Sequence, residues 1–76
     1  MTAIGEILTR NGFEIKRRTF NFTIWCGMMD DREVWMEEDE EKGIIDGIGA
    51  LGGMQLKTVE EINEALKVLH IEKELY

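Results

Sequence analysis

The fold is decided by residues 19–39, which read TFNFTIWCGMMDDREVWMEED. Apolar and polar side chains alternate on both sides of a polar tip at Asp30 and Asp31. Alternation with a period of two is typical of β-strands, because successive side chains point to opposite faces of a sheet. The stretch therefore predicts a β-hairpin with its turn around residues 29–31.

The positions of the apolar residues predict which face of this hairpin enters the core. In the first strand the even-numbered positions are apolar: Phe20, Phe22, Ile24, Cys26 and Met28. In the return strand Val34 and Met36 are also even-numbered. A turn with an odd number of residues would bring all of them onto one face. The predicted cross-strand pairs are Cys26–Val34, Ile24–Met36 and Trp25–Trp35. We then expect an apolar core face and a second face that carries both tryptophans.

The chain before the hairpin predicts a helix and an extended segment. Residues 2–10 have amphipathic spacing, with Thr2 as the N-cap and Asn11-Gly12 as a left-handed stop. The extended segment that follows has its apolar residues at odd positions, whereas those of the hairpin are at even positions. One residue must be absorbed between them, so a bulge or break is expected near residues 17–19.

The chain after the hairpin predicts a loop and a second helix. Residues 43–53, GIIDGIGALGG, contain five glycines and predict an irregular apolar flap, followed by a short strand at residues 54–56. Residues 58–61 form a capping box that opens an amphipathic helix reaching at least Leu69. Whether the helix continues over residues 70–76 stays open.

Together these segments predict a single small α+β domain over residues 1–76. It has an N-terminal helix, an antiparallel sheet of two to four strands centred on the hairpin, and a C-terminal helix packed on one sheet face. The residues expected to meet in the core are Phe20, Phe22, Ile24, Val34 and Met36 of the sheet and Ile62, Leu66 and Leu69 of the helix. A chain of 76 residues is near the lower limit for a stable core, which a second copy would extend.

The charge of the chain restricts its partners. The net charge is −7, and residues 30–56 alone carry nine acidic and two basic side chains. Such a field repels nucleic acid and anionic membranes, so we expect neither direct nucleic-acid binding nor membrane association, and a protein partner with a basic surface. No apolar run spans a bilayer, the N-terminus lacks a signal pattern, and a single cysteine suits a reducing compartment. We therefore expect a cytoplasmic protein, in the host cytoplasm if a virus encodes it.

The residues do not predict a catalytic, cofactor or metal site. Residues 47–52 match G-x-G-x-x-G, but no helix start follows them and acidic residues lie nearby. Cys26 lies on the predicted apolar face, where cysteine acts as a small hydrophobe, and His70 is the only histidine. The acids at the hairpin tip lack the spacing of a calcium loop. We therefore expect no enzyme and no cofactor.

Two features predict protein binding. The five consecutive acids at residues 37–41 cannot be buried together, so they form either a solvated loop or a row that imitates a phosphate backbone. The tryptophans are either covered by the flap or exposed as interface hot spots. The predicted partner-binding residues are Trp25, Asp30, Asp31, Trp35, Glu37, Glu38, Asp39, Glu40 and Glu41.

These observations predict an inhibitor or sequestering factor of a basic, nucleic-acid-binding protein. In composition the chain resembles viral antagonists of host defence, anti-CRISPR proteins included, which are often very small, acidic and poor in cysteine. This is an analogy of composition that assigns no site. The alternative is a homodimeric structural or regulatory subunit without catalytic activity, joined through the tryptophan face, with the acids serving solubility.

Overall fold

A computed structural model describes all residues from 1 to 76. The elements in chain order are α1 (Ala3–Arg10), β1 (Glu14–Arg18), β2 (Phe22–Met29), β3 (Arg32–Asp39), β4 (Ile44–Ile48) and α2 (Val59–Val68). The four strands form one antiparallel sheet in the order β1-β2-β3-β4. The predicted α+β architecture, with a helix at each end of a hairpin-centred sheet, is confirmed.

The turn between β2 and β3 has two residues rather than an odd number. Asp30 and Asp31 both have positive φ, 52° and 60°, as in the type I′ turns that match the twist of hairpin strands. Aspartate tolerates this left-handed conformation better than most residues. The predicted register is therefore wrong. The observed pairs are Met29–Arg32, Cys26–Trp35, Trp25–Met36 and Ile24–Glu37.

This register exchanges the two faces of β2. Trp25 lies in the core with 2% of its surface exposed, and the even-numbered residues of β2 lie on the opposite face. Phe20, which was expected in the core, precedes the strand and is 94% exposed. The prediction is correct for β3, where Val34 and Met36 are buried. Burying Trp25 removes more apolar surface from water than burying Ile24 would, since tryptophan has the larger side chain.

The core lies between one face of the sheet and the two helices. Its buried cluster consists of Ile4, Leu8, Phe13, Trp25, Met29, Val34, Met36, Ile45, Ile48, Ile62, Leu66, Ile71 and Leu75, with Leu69 packed against it. The expected contact of the β3 residues with the C-terminal helix is confirmed, whereas the even-numbered residues of β2 take no part in it. We call this side of the sheet the covered face.

Two glycines allow close packing on the covered face. A Cβ atom at Gly5 of α1 would lie 3.3 Å from the Trp25 ring, and one at Gly27 of β2 would lie 2.7 Å from the ring of Phe13. Helix α1 and the Phe13 ring therefore approach the sheet more closely than a larger residue would permit. This packing offsets the cost of about 1 kcal/mol for glycine in the middle of a helix.

Both ends of α1 and the start of α2 follow local sequence signals. Thr2 caps α1, and Gly12, with φ of 84°, ends it as predicted. Thr58 and Glu61 form the predicted capping box of α2. The Glu61 carboxylate accepts hydrogen bonds from the backbone N–H groups of Lys57 and Thr58, and these bonds hold the pKa of Glu61 below its usual range.

Helix α2 ends before the last six residues. His70 takes a left-handed conformation with φ of 64°, and the N–H of Ile71 donates to the carbonyl of Leu66 at 2.9 Å. This is the bonding of a Schellman motif, with histidine in the place usually taken by glycine. The chain then runs without regular structure to Tyr76 and buries Ile71 and Leu75 in the core. The helix therefore does not continue over residues 70–76.

The glycine-rich segment is more regular than predicted. Residues 44–48 form strand β4, which pairs with the second half of β3. Ile48 and Leu51 then exchange backbone hydrogen bonds around a tight turn, and Ile45 pairs with Leu56. The predicted irregular flap over residues 43–53 is therefore wrong for its first half. In β1 the register shifts between Ile15 and Arg17, one residue before the predicted bulge.

Candidate protein-binding site

The second face of the sheet carries neither helix, and we call it the open face. Its side chains come from the even-numbered positions of β2 and the odd-numbered positions of β3: Phe22, Ile24, Cys26, Met28, Glu33, Trp35, Glu37 and Asp39. Met28 is 59% exposed and Trp35 is 41% exposed. A central sheet surface of apolar residues that is left uncovered is typical of an interaction site.

Trp35 is the centre of the open face. It lies opposite Cys26 of β2, and its indole Nε1 donates to Glu33 Oε1 at 2.7 Å. Its backbone carbonyl accepts from the N–H of Gly49 at 2.7 Å. The indole is thus held by a hydrogen bond at its edge, while 41% of the residue stays exposed. Tryptophan is among the residue types most enriched in interface hot spots, and Trp35 is partly exposed.

Two concave regions adjoin Trp35. The first, on the open face, is a cavity of about 430 Å³ lined by Ile24, Trp35, Met36, Glu37 and Gly49. The second is a groove of about 400 Å³ at the edge of β3, lined mainly by apolar residues including Val34, Leu51 and Leu69. We call the first the Trp35 cavity. Trp35 and Gly49 line both regions, so a partner that engages Trp35 lies next to both.

Glu37 is the charged residue of the Trp35 cavity. It lies in register between Ile24 of β2 and Gly47 of β4, and it is half-buried. Its carboxylate makes no hydrogen bond and no salt bridge within the molecule. No buried side-chain oxygen of the molecule lacks a hydrogen-bond partner, so the unpartnered oxygens of Glu37 are open to solvent and to an incoming cation.

The acids at residues 37–41 form neither a solvated loop nor a continuous row of exposed carboxylates, so both predicted alternatives are wrong for this segment as a whole. Residues 37–39 belong to β3, so their side chains alternate between the two faces. Glu38 points into the core and is fully buried, where its carboxylate accepts hydrogen bonds from Trp25 Nε1 at 2.9 Å and from the Thr2 hydroxyl. Asp39 is 8% exposed and accepts from the backbone N–H of Lys42 at 3.1 Å. Accessible carboxylates remain at Glu37, Glu40 and Glu41.

Trp25 and Asp30 also have structural positions. Trp25 lies on the covered face, opposite to Trp35, so the predicted pairing of the two tryptophans on one surface is wrong. The Asp30 carboxylate accepts from the backbone N–H groups of Glu72 and Lys73 at 2.8 and 3.2 Å and fastens the C-terminal segment. Asp31 is exposed at the hairpin tip.

Few of the acids are neutralised inside the molecule. Of sixteen acidic residues only Glu40 and Glu74 make salt bridges, with Arg18 at 3.8 Å and Lys67 at 3.3 Å. The excess negative charge remains available to attract a basic surface.

Cys26 has the environment of a packed thiol. It is buried between β1 and β3 on the open face, and this burial raises the pKa of the thiol above its ordinary value. The negative charge of Glu33 raises that pKa further. A thiol held in its protonated form is a poor nucleophile at neutral pH. No group of three or more histidine, cysteine, aspartate or glutamate side chains is arranged to hold a metal ion.

The sequence predicts Trp35 and Glu37 as binding residues but not the apolar residues around them. Phe22, Ile24 and Met28 share even numbering with Val34 and Met36, and placing all of them on the core face requires a turn with an odd number of residues. The signal that identifies them is the Asp30-Asp31 pair, since two adjacent residues that tolerate positive φ favour a two-residue turn.

No family model, no curated protein and no solved structure matches this chain. Neither helix of the structure has the length and apolar character that crossing a membrane requires.

Proposed function

We propose that this chain is a small acidic protein-binding module that sequesters or inhibits a basic protein of the nucleic-acid-binding kind. The observation that carries the proposal is the open face, where an uncovered tryptophan lies among acids that have no cationic partner in the molecule. We place this activity in the cytoplasm, where a lone cysteine stays reduced. For a virally encoded chain this means the host cytoplasm.

The apolar part of the open face supplies the energy for binding. Trp35 and Met28 are exposed, and Phe22 and Ile24 are half-buried beside them. Their arrangement resembles the anatomy of protein interfaces, in which an aromatic anchor lies in an apolar centre and polar residues form the rim. Burial of Trp35 by a partner would contribute most of the free energy of binding.

The acids of the rim supply selectivity for a basic partner. Glu33 and Glu37 flank Trp35 along β3, and Glu40 and Glu41 follow at the end of the strand. A protein that binds nucleic acid presents cations to accept phosphates, and carboxylates on a rigid strand complement the same cations. The net charge of −7 would also accelerate encounter with such a partner.

A specific observation favours a homodimeric regulatory subunit as the second candidate. On the open face Arg17 of β1 and Glu37 of β3 lie on opposite sides of Ile24. A two-fold axis parallel to the strands would place β1 of one copy over β3 and β4 of the other, and thus bring Arg17 towards Glu37. The face is therefore self-complementary in charge as well as apolar at its centre.

The test compares three baits in a nuclease-treated lysate from the native cell or its host. They are the wild-type chain, the open-face variant Glu33→Lys/Glu41→Lys, and a control variant, Glu64→Lys/Glu72→Lys. The control has the same change in charge at exposed residues of α2 and the C-terminal segment. Each protein that is recovered is then assayed for binding to a labelled 20-base-pair DNA duplex as the wild-type chain or a variant is added.

The proposal predicts that the wild-type and control chains displace the duplex equally and that the open-face variant is at least about tenfold weaker, because it replaces two attractive charges by repulsive ones. Recovery should fall at high salt, since exposed charge pairs are screened. Equal displacement by all three chains would contradict the proposed surface. A chain that recovers only itself, at twice its mass and at any salt concentration, would favour the homodimer.

A further inference from the structure

We infer that the Trp35 cavity binds an arginine side chain of the partner. This inference rests on the proposed function for the identity of the partner, but the cavity itself is tested with a small molecule. It assigns a chemical class of ligand to one part of the open face, whereas the proposed function concerns the whole surface.

The lining of the cavity matches the parts of an arginine side chain. Ile24 gives the cavity an apolar wall, and Glu37 places a carboxylate beside it. Met36 and Gly49 line it through their backbone, since the Met36 side chain lies in the core and glycine has none. The volume of about 430 Å³ is sufficient for an arginine side chain. The three methylene groups of arginine would pack on the apolar wall, as the stems of long cationic side chains do on protein surfaces.

The charged end of the ligand has two partners in the cavity. One is the Trp35 ring, which lines the cavity, is partly exposed and donates its indole N–H to Glu33. The other is the Glu37 carboxylate, which accepts no hydrogen bond within the molecule. Tryptophan is the aromatic residue that attracts cations most strongly over its face, and a carboxylate forms paired hydrogen bonds with a guanidinium group.

The geometry favours arginine over lysine. A guanidinium group is planar, so it stacks on an indole while its N–H groups still point towards a carboxylate at the side. It is also more weakly hydrated than an ammonium group and loses less on entering a partly apolar cavity. The ammonium group of lysine makes either contact but has no plane to stack.

No cation of the chain itself fills the cavity. Arg17 is in register with Ile24, and Ile24 is in register with Glu37, so Arg17 lies two strands away, about 10 Å between Cα atoms. The two side chains form no salt bridge. Arg18 pairs with Glu40, and Arg10 lies over the ring of Tyr76. The cavity is therefore open to a cation from another molecule.

The test is a titration of the ¹⁵N-labelled chain with N-acetylarginine amide, followed by the resonance of the Trp35 indole N–H. N-acetylcitrulline amide serves as an uncharged ligand of nearly the same shape. The indole N–H of Trp25, which is buried against Glu38, is the internal control. Two variants are titrated in the same way: Glu37→Gln, which removes the charge inside the cavity, and Glu64→Gln, which makes the same change at an exposed residue of α2.

We expect saturable binding of the arginine ligand with a dissociation constant of about 1 mM, which is usual for so small a ligand with few contacts. Citrulline should bind about tenfold more weakly, because it lacks the charge that strengthens the hydrogen bonds. Glu37→Gln should weaken arginine binding about tenfold, and Glu64→Gln should leave it within about twofold. The Trp25 resonance should not move.

Three results would overturn the inference: equal affinity for arginine and citrulline, equal affinity of the wild-type chain and Glu37→Gln, or a dimer by sedimentation in which Arg17→Ala is required before arginine binds. The last result would show that a second copy fills the cavity with its own Arg17.

A failure of this inference can be distinguished from a failure of the proposed function. If arginine binds as expected but no nucleic-acid-binding protein is recovered, the proposed function is wrong and the cavity assignment stands. If such a protein is recovered but arginine does not bind, the cavity assignment is wrong.

Discussion

The two tryptophans of the hairpin have opposite environments. Trp25 is 2% exposed, packs against α1 and donates its indole N–H to the fully buried Glu38. Trp35 is 41% exposed and donates to the exposed Glu33. The residue type and the bond to a carboxylate are the same, so the difference lies in what covers the sheet. The covered face holds the molecule together, and the open face is available for binding.

This difference is set by the turn between the strands. With two residues at the tip, odd-numbered positions of β2 share a face with even-numbered positions of β3. One additional residue would move every side chain of one strand to the other face. The comparison of the two faces therefore gives a set of expected effects, from large losses of stability on the covered face to small changes on the open face.

The largest effect is expected at the tryptophans. Trp25→Ala should lower the free energy of unfolding by about 3–5 kcal/mol, because it leaves a cavity in the core and a buried carboxylate with one donor fewer. Trp35→Ala should cost less than about 1 kcal/mol, since the side chain is partly solvated. Urea denaturation followed by circular dichroism measures both. If Trp25→Ala does not fold, Trp25→Phe should still be less stable than Trp35→Phe. Equal losses at the two sites would refute the assignment of the faces.

The second effect distinguishes two adjacent glutamates. Glu38→Ala should cost about 2 kcal/mol, because it leaves the Trp25 N–H and the Thr2 hydroxyl without an acceptor in the core. Glu37→Ala should change stability by less than about 0.5 kcal/mol, since its carboxylate has no partner to lose. The same denaturation experiment applies. A loss at Glu37 as large as that at Glu38 would mean that the strand is not alternating as described.

The third effect tests the turn. Asp31→Gly should stabilise the chain by up to about 1 kcal/mol, because glycine adopts positive φ without the cost paid by aspartate. Asp30 is left unchanged since its carboxylate holds the C-terminal segment. Thermal denaturation would show the gain. Insertion of a third residue between Asp30 and Asp31 should abolish the fold, because it shifts the register of the hairpin. If the insertion stabilises the chain instead, the turn has an odd number of residues.

The smallest effect concerns Cys26 on the open face. Its raised pKa means that, at a given pH near neutrality, a smaller fraction of the thiol is ionised than in an exposed cysteine. Alkylation by iodoacetamide should therefore be slower than that of glutathione and should increase only as the pH rises above the ordinary thiol range. Glu33→Gln should lower the pKa and accelerate alkylation, since it removes a neighbouring negative charge. A rate equal to that of glutathione throughout would contradict this description.

Local signals in the sequence were sufficient for the start of both helices and for the end of α1. The capping box from Thr58 to Glu61 and the stop at Asn11-Gly12 depend on backbone hydrogen bonds between near neighbours, and both are found where they were predicted. The stop of α2 at His70 could not be predicted in this way, because a histidine in the left-handed conformation depends on the burial of the following Ile71.

The site could be predicted only in part. Both faces of β2 are apolar, with Phe22, Ile24, Cys26 and Met28 on one side and Trp25 and Met29 on the other. Composition therefore did not decide which face enters the core, and the parity of the turn did. Residue type alone predicts Trp35 and Glu37 as binding residues, and the structure places both on the open face. The exclusion of Glu38 from the surface required the register and the packing of α1.

Acrylamide quenching of the two single-tryptophan variants, Trp25→Phe and Trp35→Phe, with and without a hexaarginine peptide, tests directly whether the open face binds a basic ligand. We expect Trp35 to be quenched readily in the unbound chain and to be protected by the peptide, whereas Trp25 should be shielded in both conditions. Quenching of Trp35 that is unaffected by a saturating amount of the peptide, or a Trp25 as accessible as Trp35, would contradict this expectation.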